Sequence, residues 1–194
     1  MKKARIAIFA SGNGSNAEEI IQYFKDHPSI QVSLLLSNNP DAYALKRAEN
    51  HGISFKSFDR KTYRESTEVL NWLEDSHITH IVLAGFLWLI PAYLIEKYPD
   101  HILNIHPALL PKHGGKGMYG MKVHEAVKAS GDRETGITIH LVDSRYDEGK
   151  VVFQATCQIN EQDGPEQIAA KVHDLEYQHF PKTIESWIFS SYNS

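Results

Sequence analysis

The sequence predicts an α/β domain with a mostly parallel, twisted sheet, helices on both faces and an antiparallel C-terminal part. Two observations lead to this prediction. Short apolar runs alternate with helical patterns over residues 1–100, and two strand-like runs joined by a turn follow later. With 194 residues, of which 42% are hydrophobic and 23% charged, the chain has the size and composition of one folded domain.

Helical segments separate most of the first five strands, which favours parallel pairing. Strands are expected at Arg5–Ala10, Ile30–Ser37, Ser54–Ser57, Thr79–Ala84 and Ile102–His106. Helices are expected after Asn16, where apolar residues recur at helical spacing, and at Asp41–Asn50 and Lys61–Glu74.

The later part of the chain has a different pattern. The strands Gly136–Val142 and Val151–Ile159 are joined by a turn, which indicates antiparallel pairing. A helix is expected near Lys122–Ala129 and a long one over Pro165–Ser190, bent or broken at Pro181 because proline cannot donate a backbone hydrogen bond.

Composition excludes several classes of partner. The formal net charge is −4, so no overall positive field exists to hold nucleic acid. The most apolar run, Ile81–Ile90, is roughly half of what a membrane-spanning helix needs and ends at Pro91. The single cysteine, Cys157, indicates a reducing compartment, and Ser11–Asn16 interrupts the apolar N-terminal run, so we expect a cytoplasmic protein without an export signal.

The loop Ser11-Gly12-Asn13-Gly14-Ser15-Asn16 lies between the first strand and the first helix. Such a loop directs backbone N–H groups and the helix dipole at one point, where a phosphate fits. An N-cap with a tight turn would explain the same residues. The position favours ligand binding, because open α/β sheets bind ligands at the carboxyl ends of their strands.

A second candidate site follows the fifth strand. Asn104 and His106 lie two residues apart, so on an extended chain they point the same way, and Pro107 places them at the strand's end. Asp147 in the later turn could hold and charge the imidazole. A core histidine with a strand-ending asparagine is the alternative, and Asp143, Glu148 or ordinary turn chemistry compete for the acidic role.

Four segments together resemble the folate-dependent formyltransferase family: Ile6–Asn16, Leu83–Phe86, Leu103–Pro111 and Gly136–Gln154. The run Asn-Ile-His-Pro-Ala-Leu-Leu-Pro is the most specific motif, and Ser-Gly-Asn-Gly-Ser-Asn resembles the glycinamide ribonucleotide branch. The resemblance implies a Rossmann-like fold and transfer of a formyl group from 10-formyltetrahydrofolate, a co-substrate, to the amine of 5-phosphoribosylglycinamide in purine biosynthesis. It implies no metal.

The resemblance also implies residue roles. The catalytic residues would be Asn104, His106 and Asp147. The phosphoribosylglycinamide site would comprise Asn13, Gly14, Ser15, Asn16 and Glu176. The folate site would comprise Arg60, Leu87, Trp88, Leu89, Ile90 and Asn104.

The chain departs from the family pattern at two places. Trp88 stands where better-known members often have arginine, and Lys112–Met121 is longer and richer in glycine, which leaves correspondences over 112–123 open. We expect one domain, 1–194, with a phosphate-binding half (1–100) and a catalytic and folate-binding half (101–194). Small molecules are the expected partners of a monomer or homodimer.

Three other functions compete. A hydrolase releasing formate from the same folate would use the same three residues, but usually carries an N-terminal regulatory domain, for which a first strand at Arg5 leaves no room. A formyltransferase acting on initiator tRNA usually adds a C-terminal barrel and needs a basic face. A non-catalytic module binding a phosphosugar or nucleotide would give no reason for Asn104, His106 and Asp147.

Overall fold

The computed structural model describes residues 3–192, which contain seven strands and seven helices, so the predicted domain 1–194 extends past the described residues at both ends. The strands are β1 Ala4–Phe9, β2 Ile30–Ser37, β3 Ser54–Ser57, β4 His80–Leu83, β5 Ile102–His106, β6 Glu134–Leu141 and β7 Val151–Gln158. The helices are α1 Ser15–Phe24, α2 Tyr43–Asn50, α3 Arg60–Glu65, α4 Glu68–Asp75, α5 Ala92–Lys97, α6 Met121–Ser130 and α7 Pro165–Ser191.

The described strands form one sheet in the order β3-β2-β1-β4-β5-β6-β7. The strands from β3 to β5 in this order pair in parallel, whereas β6 is antiparallel to both β5 and β7. The predicted parallel sheet with an antiparallel C-terminal part is therefore confirmed. Because the chain leaves β1 towards β2 and β3 and then returns to β4, the order reverses between β1 and β4, and ligand crevices open at such reversals.

Helices cover both faces of the sheet. Side chains alternate along β1: Ile6 and Ile8 pack in a cluster with α1, α2, α6 and α7, whereas Ala7 and Phe9 pack in a second cluster with α3, α4 and α5. Burial on both sides explains why the central strand is a continuous apolar run.

The predicted helix Lys61–Glu74 is wrong as one element, because it consists of α3 and α4. The Asp59 side chain accepts a hydrogen bond of 2.7 Å from the Thr62 N–H and caps α3. Ser66 then has an extended backbone, and its hydroxyl accepts a bond from the Glu68 N–H at the start of α4. Helix α5, six residues long, was not predicted because a segment of that length shows little periodicity.

Helix α7 is not broken at Pro181 but runs continuously over its 27 residues. A proline inside a helix costs about 3 kcal/mol. Burial of Phe180, Ile184 and Ile188 offsets that cost, since each large apolar side chain contributes about 1.5–3 kcal/mol. Within residues 3–192 neither α7 nor another helix is both long and apolar enough to cross a bilayer.

Candidate active site

A cavity of about 680 Å³ opens where β1, β4 and β5 end. It lies at the reversal of strand order, and its size is typical of small-molecule sites, roughly 300–1,000 Å³. Its walls come from segments far apart in the chain: residues 11–16, 83–90, 104–107, 115–121, the loop between β6 and β7, and α7.

Gly14 shapes the loop between β1 and α1. Its φ of 73° is in the left-handed region, and a Cβ on it would lie 2.5 Å from the Cβ and 2.8 Å from the Cα of Ala44 in α2. Glycine is therefore required by packing against α2. No side chain caps α1, so the first N–H groups of this helix are not bound by an N-cap side chain.

Arg47 of α2 holds this loop, which the sequence analysis did not foresee. Its Nε donates to the Asn13 carbonyl at 2.9 Å and its Nη2 to the Asn13 Oδ1 at 2.8 Å. Its Nη1 also lies 3.3 Å from Glu18 of α1. Because Arg47 lies in a different helix, no sequence pattern near the loop indicates its role. Only the packing of α2 against α1 identifies it.

Glu176 faces the same loop from α7. It is 5% exposed, and its Oε2 accepts a 2.9 Å hydrogen bond from the Asn16 side-chain amide. The same oxygen lies 3.2 Å from His173 Nδ1, and this bond raises the pKa of His173 above its ordinary value. The apolar stripe of the sequence placed Glu176 at the margin of the buried face, whereas the structure buries it.

Asn104, His106 and Asp147 meet at one wall of the cavity. Asp147 Oδ2 lies 3.5 Å from His106 Nδ1, and Asp147 Oδ1 lies 3.5 Å from Asn104 Nδ2. The two competing acids, Asp143 and Glu148, instead pair with Arg145. Of these three acids the structure brings only Asp147 to Asn104 and His106.

His140 was missed by the sequence analysis and orients Asn104. It lies on β6 directly opposite Asn104. Its Nδ1 faces the Leu141 carbonyl at 2.8 Å and therefore carries the proton, since a carbonyl only accepts. Its Nε2 then accepts from Asn104 Nδ2 at 3.0 Å, which fixes the amide with its nitrogen towards His140.

Burial and charge oppose each other at this wall. Burial lowers the pKa of His106, against the pull of the Asp147 carboxylate and of a hydrogen bond to the His113 carbonyl. Burial acts to raise the pKa of Asp147, but the neighbouring imidazole of His140, the positive charge that His106 can carry and the hydrogen bond from the Gly115 N–H bring it below its ordinary value. Asp147 is thus ionised near neutral pH.

The apolar wall follows β4 and contains Leu87, Trp88, Leu89 and Ile90. The Leu87 N–H donates to the Ser11 hydroxyl at 3.0 Å, which joins this wall to the glycine loop. Arg60 is not among the lining residues; its guanidinium lies 5.2 Å from the centroid of the Trp88 ring, in a cation–π contact.

His124 of α6 also lines the cavity and was not predicted, because it follows the segment whose correspondences were open. It is 3% exposed, and among the described residues its Nδ1 has no hydrogen-bond partner. Burial lowers the pKa of His124, so its imidazole is neutral near neutral pH. Residues 3–192 contain no group of three His, Cys, Asp or Glu side chains suited to a metal.

Comparisons with a family model, with curated relatives and with solved structures all point to formyltransferases. The model of the family described as formyl transferase matches residues 4–184. The chloroplastic phosphoribosylglycinamide formyltransferase of Arabidopsis thaliana is 36% identical over 94% of this chain, which spans 65% of that relative's length. The phosphoribosylglycinamide formyltransferase of Bacillus subtilis is 35% identical over 95% of this chain and 94% of its own length. A crystal structure of the Bacillus halodurans protein of the same name has a TM-score of 0.84 at 36% identity and covers 94% of both chains.

Proposed function

Because the chain belongs to the formyl transferase family, we propose that it transfers the formyl group of 10-formyltetrahydrofolate to the amine of 5-phosphoribosylglycinamide, in purine biosynthesis. The products are N-formylglycinamide ribonucleotide and tetrahydrofolate. The observation that carries the proposal is the convergence of Asn104, His106 and Asp147 on a cavity whose opposite wall is the loop 11–16.

The loop supplies the phosphate site. Asn13, Gly14, Ser15 and Asn16 line the cavity at the start of α1, where uncapped N–H groups and the helix dipole attract an anion. The net charge of −4 repels such a substrate at long range, so these local donors must supply the attraction. Glu176, bound to Asn16, supplies a carboxylate for the substrate's amine.

The three polar residues suit attack of that amine on the formyl carbon. One Asn104 N–H binds His140, and the other points to Asp147 at 3.5 Å, a weak contact that leaves this N–H able to donate to a developing oxyanion. His106, whose pKa burial lowers, presents its Nδ1 on the same side and donates from it when protonated. Asp147, ionised, accepts the proton that the amine loses, directly or through water, and the folate N10 takes up a proton as its bond to the formyl carbon breaks.

The apolar wall suits the folate. Leu87, Trp88, Leu89 and Ile90 offer apolar surface and backbone groups beside Asn104. Arg60 reaches this site only through its contact with Trp88, so we assign it to the rim, where a cation suits a carboxylate of the folate. The two halves, 1–100 and 101–194, therefore share both substrate sites, since the apolar wall comes from the first and Glu176 from the second.

One assay tests the proposal. The protein is mixed with 10-formyltetrahydrofolate, with and without 5-phosphoribosylglycinamide, and tetrahydrofolate and formate are measured. Tetrahydrofolate formed only with the amine, without formate, is the expected result. Formate released equally in both mixtures would identify a hydrolase, and folate binding without turnover a non-catalytic module. An Asn104→Ala protein serves as control for contaminating activity.

The remaining expectations rest on composition and on the family resemblance. A cytoplasmic location, small-molecule partners without nucleic acid or membrane, a monomer or homodimer, and a reaction without metal stay predictions. Gel filtration with light scattering measures the oligomeric state.

A further inference from the structure

We propose that His113 and Asp132, neither of which lines the cavity, form a positioning pair that holds His106 in its working orientation. This inference rests on the proposed function only in that His106 takes part in catalysis. The contacts themselves concern how one imidazole is fixed, and they can be measured without turnover.

The first contact is between His106 and the backbone of His113. His106 Nε2 lies 2.8 Å from the His113 carbonyl oxygen. Since a carbonyl only accepts, Nε2 must carry a hydrogen. This leaves Nδ1 as the atom that faces Asp147 Oδ2 and exchanges its proton there. The position of one carbonyl thus determines which ring nitrogen takes part in proton transfer.

That carbonyl belongs to an unusual segment. His113 has a φ of 55°, an uncommon value for a residue with a side chain. A Cβ on the next residue, Gly114, would lie 2.4 Å from the Leu110 Cδ2, so a side chain here would have to displace Leu110. The N–H of Gly115 then donates to Asp147 Oδ2 at 2.9 Å. Residues 113–115 therefore contact both the imidazole and its carboxylate.

Asp132 anchors this segment from outside. Its Oδ2 lies 2.9 Å from His113 Nε2, and its Oδ1 accepts from Lys112 Nζ at 2.9 Å. The side chains of His113 and Asp132 are 16% and 22% exposed, so their contact is sheltered, whereas that of Lys112 is 69% exposed. Hydrogen bonds from His113, Lys112 and Ser130 hold the pKa of Asp132 well below its ordinary value, so the anchor is charged.

Other groups act on His106 as well. Asp147 from the β6–β7 loop and Glu176 from α7 raise its pKa, His140 from β6 lowers it, and the bond to the His113 carbonyl raises it. Loosening His113 therefore lowers the pKa of His106 while the other three groups stay in place.

The experiment compares Asp132→Ala with His113→Gly, which retains the backbone carbonyl and tolerates a positive φ. Both are expected to lower kcat about tenfold, to leave both KM values within about twofold, and to lower the His106 pKa measured by nitrogen NMR of the ligand-free protein. Asp132→Asn, which keeps an acceptor for His113, is expected to restore part of kcat. The double variant is expected to be no worse than either single variant.

Lys112→Ala is the matched control, because it removes the other ion pair of Asp132 and leaves His113 bound. Unchanged kcat and an unchanged His106 titration in both His113→Gly and Asp132→Ala would overturn the proposed positioning role of His113 and Asp132. If Asp132→Ala fails to fold, His113→Gly decides alone. A wild-type protein that transfers no formyl group would overturn the proposed function. The NMR titration would still show whether His113 and Asp132 hold His106.

Discussion

The Oε2 of Glu176 lies 2.9 Å from the Nδ2 of Asn16 and joins the middle of α7 to the first turn of α1 across the cavity. These two residues lie 160 positions apart in the sequence, and each side chain finds its hydrogen-bond partner on the other helix. The contact places a buried carboxylate beside the proposed phosphate loop, where an ammonium group would bind.

Replacing Glu176 with glutamine tests that carboxylate. Glutamine keeps an acceptor for Asn16 and removes only the charge, so we expect KM for 5-phosphoribosylglycinamide to rise about tenfold, because exchanging a charged hydrogen bond for a neutral one loses roughly 1–1.5 kcal/mol. KM for the folate should stay the same. Glu166→Gln, an exposed acid at the start of α7, is the control. Normal kinetics in Glu176→Gln would return this residue to a structural role.

Arg47 is expected to support substrate binding without touching the reacting atoms. Arg47→Ala removes two hydrogen bonds to Asn13 and so loosens the loop. Since these contacts are exposed, each contributes about 0.5 kcal/mol, and KM for 5-phosphoribosylglycinamide should rise about fivefold with kcat nearly unchanged. Steady-state kinetics measure this. Lys46→Ala, which breaks only an exposed pair with Glu49, should have no effect, and equal effects of both variants would contradict the prediction.

Asp147→Asn should lower kcat by about 10²–10⁴, the usual contribution of a positioned acid or base. It also removes the negative charge that raises the pKa of His106, so that pKa should fall further below its ordinary value. The pH–rate profile and an NMR titration measure the two effects. Asp143→Asn, in the same loop but paired with Arg145, is the control. A profile of unchanged shape would show that Asp147 and His106 are not coupled.

Stability should fall in acid partly because of His80. It is 1% exposed, and burial, with the nearby His101, lowers its pKa to about 3. In the unfolded chain its pKa is about 6.5, so between these values the unfolded state binds the proton, and stability declines as pH falls. The slope from this group is up to about 1.4 kcal/mol per pH unit. Urea unfolding of wild type and His80→Gln at pH 7 and pH 5 should show a smaller loss in the variant.

Local pattern accounts for much of the fold. The apolar runs and helical spacings place all seven strands to within a few residues, because burial of alternate or neighbouring side chains depends on residues close in the chain. One exception is local, because the extended Ser66 ends α3 and accepts a hydrogen bond from the Glu68 N–H at the start of α4. The other is not local, since α7 passes Pro181 because tertiary burial outweighs one lost hydrogen bond.

Strand periodicity and glycine conformation are local properties, so they were enough to predict that Asn104 and His106 share one direction at a strand end and that a glycine loop precedes α1. Three further contacts depended on the packing of the whole chain: Asp147 meets His106, His140 orients Asn104 and Arg47 holds the loop. These contacts join residues far apart in the chain, and their distances depend on how helices and loops pack around the sheet, which no short segment encodes.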